Sequence, residues 1–143
     1  MTNSAIAERL GGKRVFDQRI RSDLELVEVL REGFPAEAVD ALLSEGTITQ
    51  QELYALVIPR RTLALRRQRQ QRLTPEESDR LARLARVLGF AEETFGSTEK
   101  VGRWLRKPNR GLGGQVPIDL LSTEAGARVV EQSLGRIVHG IFA

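Results

Sequence analysis

The sequence lacks cysteine altogether and contains a single histidine, His139, among its 143 residues. Disulfides and thiolate metal sites are therefore excluded, and a metal site built from histidines is not expected. No apolar run approaches the roughly 20 residues that a membrane-spanning helix needs. The segment Met1–Gly12 has no stretch apolar enough for a signal peptide. We expect a cytoplasmic protein with no metal, no cofactor and no membrane partner.

Residues that usually carry catalysis are also missing from useful positions. His139 has no aspartate, serine or cysteine at a spacing that would make it a general base. The stretch Gly111–Gly114 is followed by Gln115-Val116-Pro117 instead of the Lys-Ser/Thr of a phosphate-binding loop. We interpret it as a tight connection in which glycine adopts positive φ. We therefore predict no catalytic residues, no small-molecule substrate and no enzymatic activity.

Charge is distributed unevenly, although the formal net charge is only +3. Residues 1–59 contain ten acidic and six basic side chains, whereas residues 60–72 contain six arginines and no acid. A short arginine cluster between acidic segments indicates a localised anion-binding face.

Helical periodicity runs through most of the chain, and no segment has a compelling strand pattern, so we predict an all-α fold. Residues 1–22 are weakly patterned and are interpreted as a flexible N-terminal arm. Amphipathic helices are expected from Asp23, with Gly33 at the end of the first. Capping boxes at Thr49–Glu52 and Thr74–Glu77 predict two further helix starts.

Residues 49–72 combine a capped short helix, a turn at Pro59 and a basic second helix, which is the pattern of a helix-turn-helix. In that arrangement the second helix enters the major groove of DNA. We expect the residues at its start to approach base edges and the later ones to touch phosphates. The predicted DNA-binding residues are Arg60, Arg61, Thr62, Arg66, Arg67 and Arg69, with Arg72 on the same helix.

Two features of this segment keep other interpretations open. The turn contains no glycine, and Tyr54 occupies a position where a small residue usually lets the two helices approach. A solvated arginine-rich helix, or an arginine face that binds an acidic protein, would produce the same pattern.

The last predicted helix is strongly apolar and runs to Ala143, with a stripe of Val130, Leu134, Ile137, Val138 and Ile141. Leu134–Val138 is expected to pack within the chain. Ile141–Ala143 is expected to be covered by a partner, because chain ends are usually polar and frayed.

Several motifs in the second half resemble the toxin-binding C-terminal domain of the Xre/MbcA/ParS family of antitoxins. They are Arg103-Trp104-Leu105, Pro108-Asn109, Leu112-Gly113-Gly114, Pro117-Ile118-Asp119-Leu120-Leu121, Thr123-Glu124-Ala125-Gly126 and Leu134–Gly140. Arg61-Thr62-Leu63 and Glu76–Leu81 are similar to the Xre-like helix-turn-helix half of that family.

The resemblance implies an N-terminal Xre-like helix-turn-helix bundle, residues 23–73, for DNA binding and dimerisation. It implies a small helical toxin-binding domain, residues 74–143. Such a protein is a type II antitoxin that binds and occludes the active site of a cognate RES-domain toxin, which degrades NAD⁺. It also represses its own operon by binding operator DNA, and forms a homodimer within a larger toxin–antitoxin complex.

The apolar last turn leads to a hypothesis for this inhibition: the turn would plug the NAD⁺ cleft of the toxin. The carboxylate of Ala143 would meet toxin cations that normally contact the dinucleotide phosphates. The predicted toxin-binding residues are Arg128, Arg136, His139, Gly140, Ile141, Phe142 and Ala143. The rival interpretations are a stand-alone helix-turn-helix transcriptional regulator with a dimerisation tail, and an interaction adaptor.

Overall fold

The computed structural model of the chain describes residues 3–18 and 20–140, and these residues form helices joined by short connections. The α-helices are α1 (Asn3–Arg9), α2 (Gly12–Phe16), α3 (Asp23–Glu32), α4 (Glu37–Leu43), α5 (Gln50–Leu56), α6 (Arg60–Gln68), α7 (Pro75–Phe95), α8 (Thr98–Leu105) and α9 (Glu124–Val138). Two 3₁₀ segments, Arg110–Leu112 and Pro117–Ser122, lie between α8 and α9. Across the described residues the fold contains no β-strand, only one isolated bridge between Asn109 and Gln115, and the all-α prediction is confirmed.

The long helix α7 lies at the centre of the fold. Its start carries the expected signals: Thr74 is the N-cap, Pro75 is the first helical residue, and Thr74 and Glu77 form a reciprocal capping box. Buried side chains such as Leu81, Leu88 and Ala85 then pack against α1, α3, α8 and α9. One continuous apolar core therefore joins the two halves of the chain.

The N-terminal segment differs from the flexible arm expected from the sequence. Helix α1 packs against α7, and Ile6 within it and Leu10 directly after it are buried in the common core. Its Arg9 donates hydrogen bonds to Glu45 at 2.7 Å and to Glu92 at 2.8 Å. Helices of seven and five residues are too short to show a clear apolar period, which is why their pattern is weak in the sequence.

The connection between α8 and α9 is the tight turn predicted from its glycines. The side chain of Asn109 accepts a hydrogen bond from the N–H of Gly111, and its backbone N–H donates to Gln115. Gly113 and Gly114 both have positive φ, at 67° and 82°. Trp104 packs against the core beside Phe95, with ring centroids 5.5 Å apart. Among the described helices, none has the length and apolarity required to cross a membrane.

Candidate functional site

The candidate DNA-binding surface is the pair of helices α5 and α6 with the turn between them. Thr49 and Glu52 cap the start of α5 in a reciprocal box, as predicted. The turn is held from inside, because Val57 and Ile58 are buried and Arg80 Nε donates a 2.8 Å hydrogen bond to the carbonyl of Val57. A turn without glycine is thus anchored by an arginine from α7.

Helix α6 has one buried side and one free side. Leu63 is buried, and Thr62 is half-buried. The exposed side carries Arg60, Arg61, Ala64, Leu65 and Gln68. The side chains of Arg60 and Arg61 form no ion pair or hydrogen bond with any described residue. The start of the helix therefore presents two unneutralised arginines, at the positions where contact with base edges was expected.

Later arginines of the cluster have partners inside the fold, whereas the prediction placed them all on DNA. Arg66 donates from Nε and Nη2 to the two carboxylate oxygens of Glu77, and its side chain is 21% exposed. Arg67 makes a similar fork on Asp40, at 2.8 and 2.9 Å. Arg72 donates to the carbonyl of Gly33. The side chain of Arg69 is exposed without a partner among the described residues.

The two ion pairs differ in how firmly they hold their arginine. Burial of the Glu77 carboxyl acts to raise its pKa, but hydrogen bonds from Arg66 and Thr74 outweigh burial and lower the pKa below its ordinary value. Arg66 therefore fastens α6 to α7. The Arg67–Asp40 pair is more open, with side chains 40% and 55% exposed, so little energy opposes its exchange for a phosphate.

The candidate toxin-binding surface is α9. Thr123 caps this helix through the N–H of Gly126, and Ala127, Val130 and Leu134 are buried against the core. The outward stripe follows helical spacing through Ala125, Arg128, Val129, Gln132 and His139, and the half-buried Arg136 lies on the same side of the helix. Three of the predicted toxin-binding residues, Arg128, Arg136 and His139, thus share one face.

The end of α9 extends beyond the chain's own core. Leu134 is fully buried, Ile137 is half-buried, and the side chain of Val138 is among the exposed large apolar groups at 57%. His139 is the C-cap, and Gly140 follows with φ +70°. The predicted residues Ile141, Phe142 and Ala143 lie outside the described residues. Val138, expected to pack within the chain, is instead an exposed apolar side chain.

Arg86 on α7 fixes the direction of α9, a role that the sequence did not reveal. Its Nη2 atom lies 2.9 Å from carboxylate oxygens of both Glu124 and Glu131, along one face of α9. Arg83 approaches Glu124 at a longer distance of 3.6 Å. The spacing of seven residues between the two glutamates places them on one helix face, but it does not identify their partner.

Comparisons with known proteins give the family. Residues 90–140 match the model of the antitoxin Xre/MbcA/ParS C-terminal toxin-binding domain, and residues 25–86 match that of the antitoxin Xre-like helix-turn-helix domain. An antitoxin Xre of Yersinia enterocolitica is 40% identical over 120 residues, covering 82% of this chain and 81% of that protein. The chain belongs to the Xre antitoxin family.

Two further relatives of this Xre-family chain are also antitoxins. An antitoxin Xre of Pseudomonas putida is 39% identical over 121 residues, covering 85% of this chain and 76% of that protein. The Prs ADP-ribosylating antitoxin of Sphingobium is 30% identical over 132 residues, covering 85% of this chain and 83% of that protein. As a member of this family the chain is a toxin-binding regulator with a helix-turn-helix domain, and not an enzyme.

The two matched ranges meet inside α7, near residues 86–90. The central helix is therefore shared by the helix-turn-helix half and the toxin-binding half. The predicted division at residues 73 and 74 stays a prediction.

Proposed function

We propose that this antitoxin inhibits a cognate RES-domain toxin that degrades NAD⁺, by inserting the end of α9 into the toxin's active-site cleft. The observation that carries this proposal is that the apolar side of α9 continues past the core. Leu134 is buried, whereas Val138 at the end of the helix is exposed. An amphipathic helix whose apolar face continues past its own core can lay that face into an apolar groove of a partner.

The charged side chains of the outward stripe also support a complex in which the end of α9 enters the cleft. Arg128 is 72% exposed, and its Nε lies 3.6 Å from Glu124 in a pair too open to hold it. Together with Arg136 and His139 it would contact the rim of the cleft while the residues from Val138 onward enter it. Gly140, Ile141, Phe142 and Ala143 remain part of the proposed toxin-binding set on the ground of the sequence.

The chemistry of the toxin is suggested by one relative. The Sphingobium protein is named for ADP-ribosylation of Prs, and transfer of ADP-ribose consumes NAD⁺. A toxin that binds NAD⁺ would have a cleft shaped for a dinucleotide, which an apolar helix end with flanking charges is able to block.

The second part of the proposed function is repression of the antitoxin's own operon, in the cytoplasm, through α6. Arg60, Arg61 and Thr62 would approach base edges, and Arg69 and an opened Arg67 would contact phosphates. A homodimer is proposed as the DNA-binding form. Leu24 and Val27 on α3, with side chains 68% and 37% exposed, are apolar groups available for a second copy.

The toxin-binding proposal is tested by co-purifying the full chain with the RES-domain product of the neighbouring gene and measuring NAD⁺ consumption. The wild-type chain should abolish NAD⁺ loss. Val138→Asp should weaken inhibition at least tenfold, about 1.4 kcal/mol of binding, because a carboxylate would be desolvated in the cleft.

The matched control for this test is Leu65→Asp, which places the same charge on an exposed apolar side chain of α6, in an assay that contains no DNA. It should inhibit as well as wild type. Full inhibition by Val138→Asp would contradict insertion of the α9 end, and a wild-type complex that still consumes NAD⁺ would contradict occlusion altogether.

A further inference from the structure

A second basic surface lies on the toxin-binding half, outside the helix-turn-helix. Residues 100–110 contain five cations and no acid: Lys100, Arg103, Arg106, Lys107 and Arg110. All five are exposed. On the same helix, Glu99 lies 3.9 Å from Arg103 and is itself 82% exposed, so it neutralises little of this charge.

Arg106 sets the position of this surface, because its side chain bonds to residues far away in the sequence. Its Nε and Nη2 form a fork on Glu52 at 3.0 and 2.7 Å, and Nη2 also donates to the carbonyl of Thr47 at 2.8 Å. Nη1 turns back to the carbonyl of Gly102. Arg106 therefore fastens the end of α8 beside the start of α5.

The same juxtaposition forms an open groove of about 690 Å³ between α8 and the loop before α5. Gly46 and Thr47 line one side, while Arg103 and Lys107 line the other. The first helix of a helix-turn-helix crosses the DNA backbone while the second enters the groove. The cations beside the start of α5 therefore lie next to the DNA backbone that α5 would cross.

We infer that Arg103 and Lys107 form a second phosphate-binding surface, which extends the DNA interface of α5 and α6 onto the toxin-binding half. This inference rests on the proposed DNA binding and adds a surface that the helix-turn-helix does not contain. Both side chains bind phosphates, so they add affinity for any duplex and no sequence preference.

The test measures binding of the full chain to two fluorescent duplexes of equal length across a range of salt concentrations. One duplex is the DNA immediately upstream of the chain's own coding sequence, and the other has a random sequence. In Arg103→Ala/Lys107→Ala, affinity should fall in parallel on both duplexes. The slope of log affinity against log salt should become shallower by about 0.9 for each phosphate that the variant no longer neutralises.

A control of equal charge is Lys13→Ala/Arg14→Ala, which removes two exposed cations from α2 and should leave the slope unchanged. Glu99→Gln removes the exposed acid beside Arg103 and should tighten binding to both duplexes, whereas Glu93→Gln on α7 should not. Circular dichroism checks that each variant keeps the wild-type fold.

The outcomes separate this inference from the proposed function. If Arg60→Ala/Arg61→Ala weakens binding while Arg103→Ala/Lys107→Ala matches wild type, the second surface does not exist and repression through α6 stands. A loss of affinity confined to one duplex with an unchanged salt slope would also overturn the inference. If the wild-type chain binds neither duplex, the proposed repressor function fails, and this surface fails with it.

Discussion

Gly126 shows how closely the last helix approaches the segment before it. A Cβ atom at this position would overlap the backbone carbonyl of Leu120. The N–H of Gly126 also donates to the N-cap hydroxyl of Thr123 at 3.0 Å. The motif Thr123–Gly126, one of those that resemble the antitoxin family, therefore has a physical reason: only glycine lets α9 begin against the 3₁₀ segment Pro117–Ser122.

Gly126→Ala should destabilise the protein by about 1–3 kcal/mol, because a rigid backbone atom must move to admit the methyl group. Urea unfolding followed by circular dichroism measures the change. Gly135→Ala, in the same helix, is the matched control: nothing lies within 4 Å of its Cβ position. It should stabilise the protein by up to about 1 kcal/mol through helix propensity. Equal effects at the two sites would contradict the close approach.

Among the helices, the junction of α6 and α7 depends on one carboxylate. Glu77 accepts hydrogen bonds from Arg66 and from the backbone N–H of Thr74, so it caps α7 and holds α6 at once. Its side chain is 8% exposed, and its pKa lies below the ordinary value of 4.5. An acidic residue predicted from the sequence as a cap is thus also the partner of an arginine predicted to bind DNA.

Acid should weaken this junction. Because the pKa of Glu77 is lower in the folded protein than in the unfolded chain, its stabilisation is complete above pH 4.5 and is lost as the pH falls through the folded-state pKa. Glu77→Gln should therefore reduce the fall in unfolding free energy below pH 4.5, while lowering stability at neutral pH.

Chemical denaturation at several pH values measures both effects. Glu76→Gln, at the exposed neighbouring position in the same helical turn, is the control and should keep the wild-type pH profile. A Glu77→Gln profile parallel to wild type would show that this carboxylate does not carry the acid sensitivity.

Across the whole molecule, α7 and Arg106 join the two halves in different ways. The apolar core along α7 joins them without a break. Arg106 adds a polar clamp from α8 to the capping box of α5. Burial of Glu52 acts to raise its pKa, but the hydrogen bonds from Arg106 and Thr49 outweigh it and lower the pKa. The start of the helix-turn-helix is therefore held by a residue of the toxin-binding half.

Arg106→Ala should cost about 1 kcal/mol of stability, since the pair is partly screened by solvent. Its local effect should be larger: amide hydrogens at the start of α5 should exchange faster, because the capping glutamate loses its partner. Arg103→Ala, one turn earlier and 59% exposed, should change stability by less than about 0.5 kcal/mol. Unaltered exchange in α5 would contradict the clamp.

Most helix boundaries were predictable because the interactions that set them are local. Helix α3 spans Asp23–Glu32 as expected, and Thr49 and Thr74 are N-caps as predicted. The basic helix α6 ends at Gln68, and Gln70 has φ +53°. The short helices of residues 3–16 were not predicted, since each makes too few turns to reveal a period.

The local pattern of residues established the all-α fold, the helix caps and the family. A cap joins two residues three positions apart, and an apolar stripe repeats every three or four residues, so both can be recognised in the sequence. Which charges remain free was decided by folding. Arg67 meets Asp40 across 27 residues, Arg86 meets Glu131 across 45, and Arg106 meets Glu52 across 54. The spacing of the arginines does not show which of them will pair with a carboxylate so far away in the sequence, and Arg60 and Arg61 are left without such a partner among the described residues.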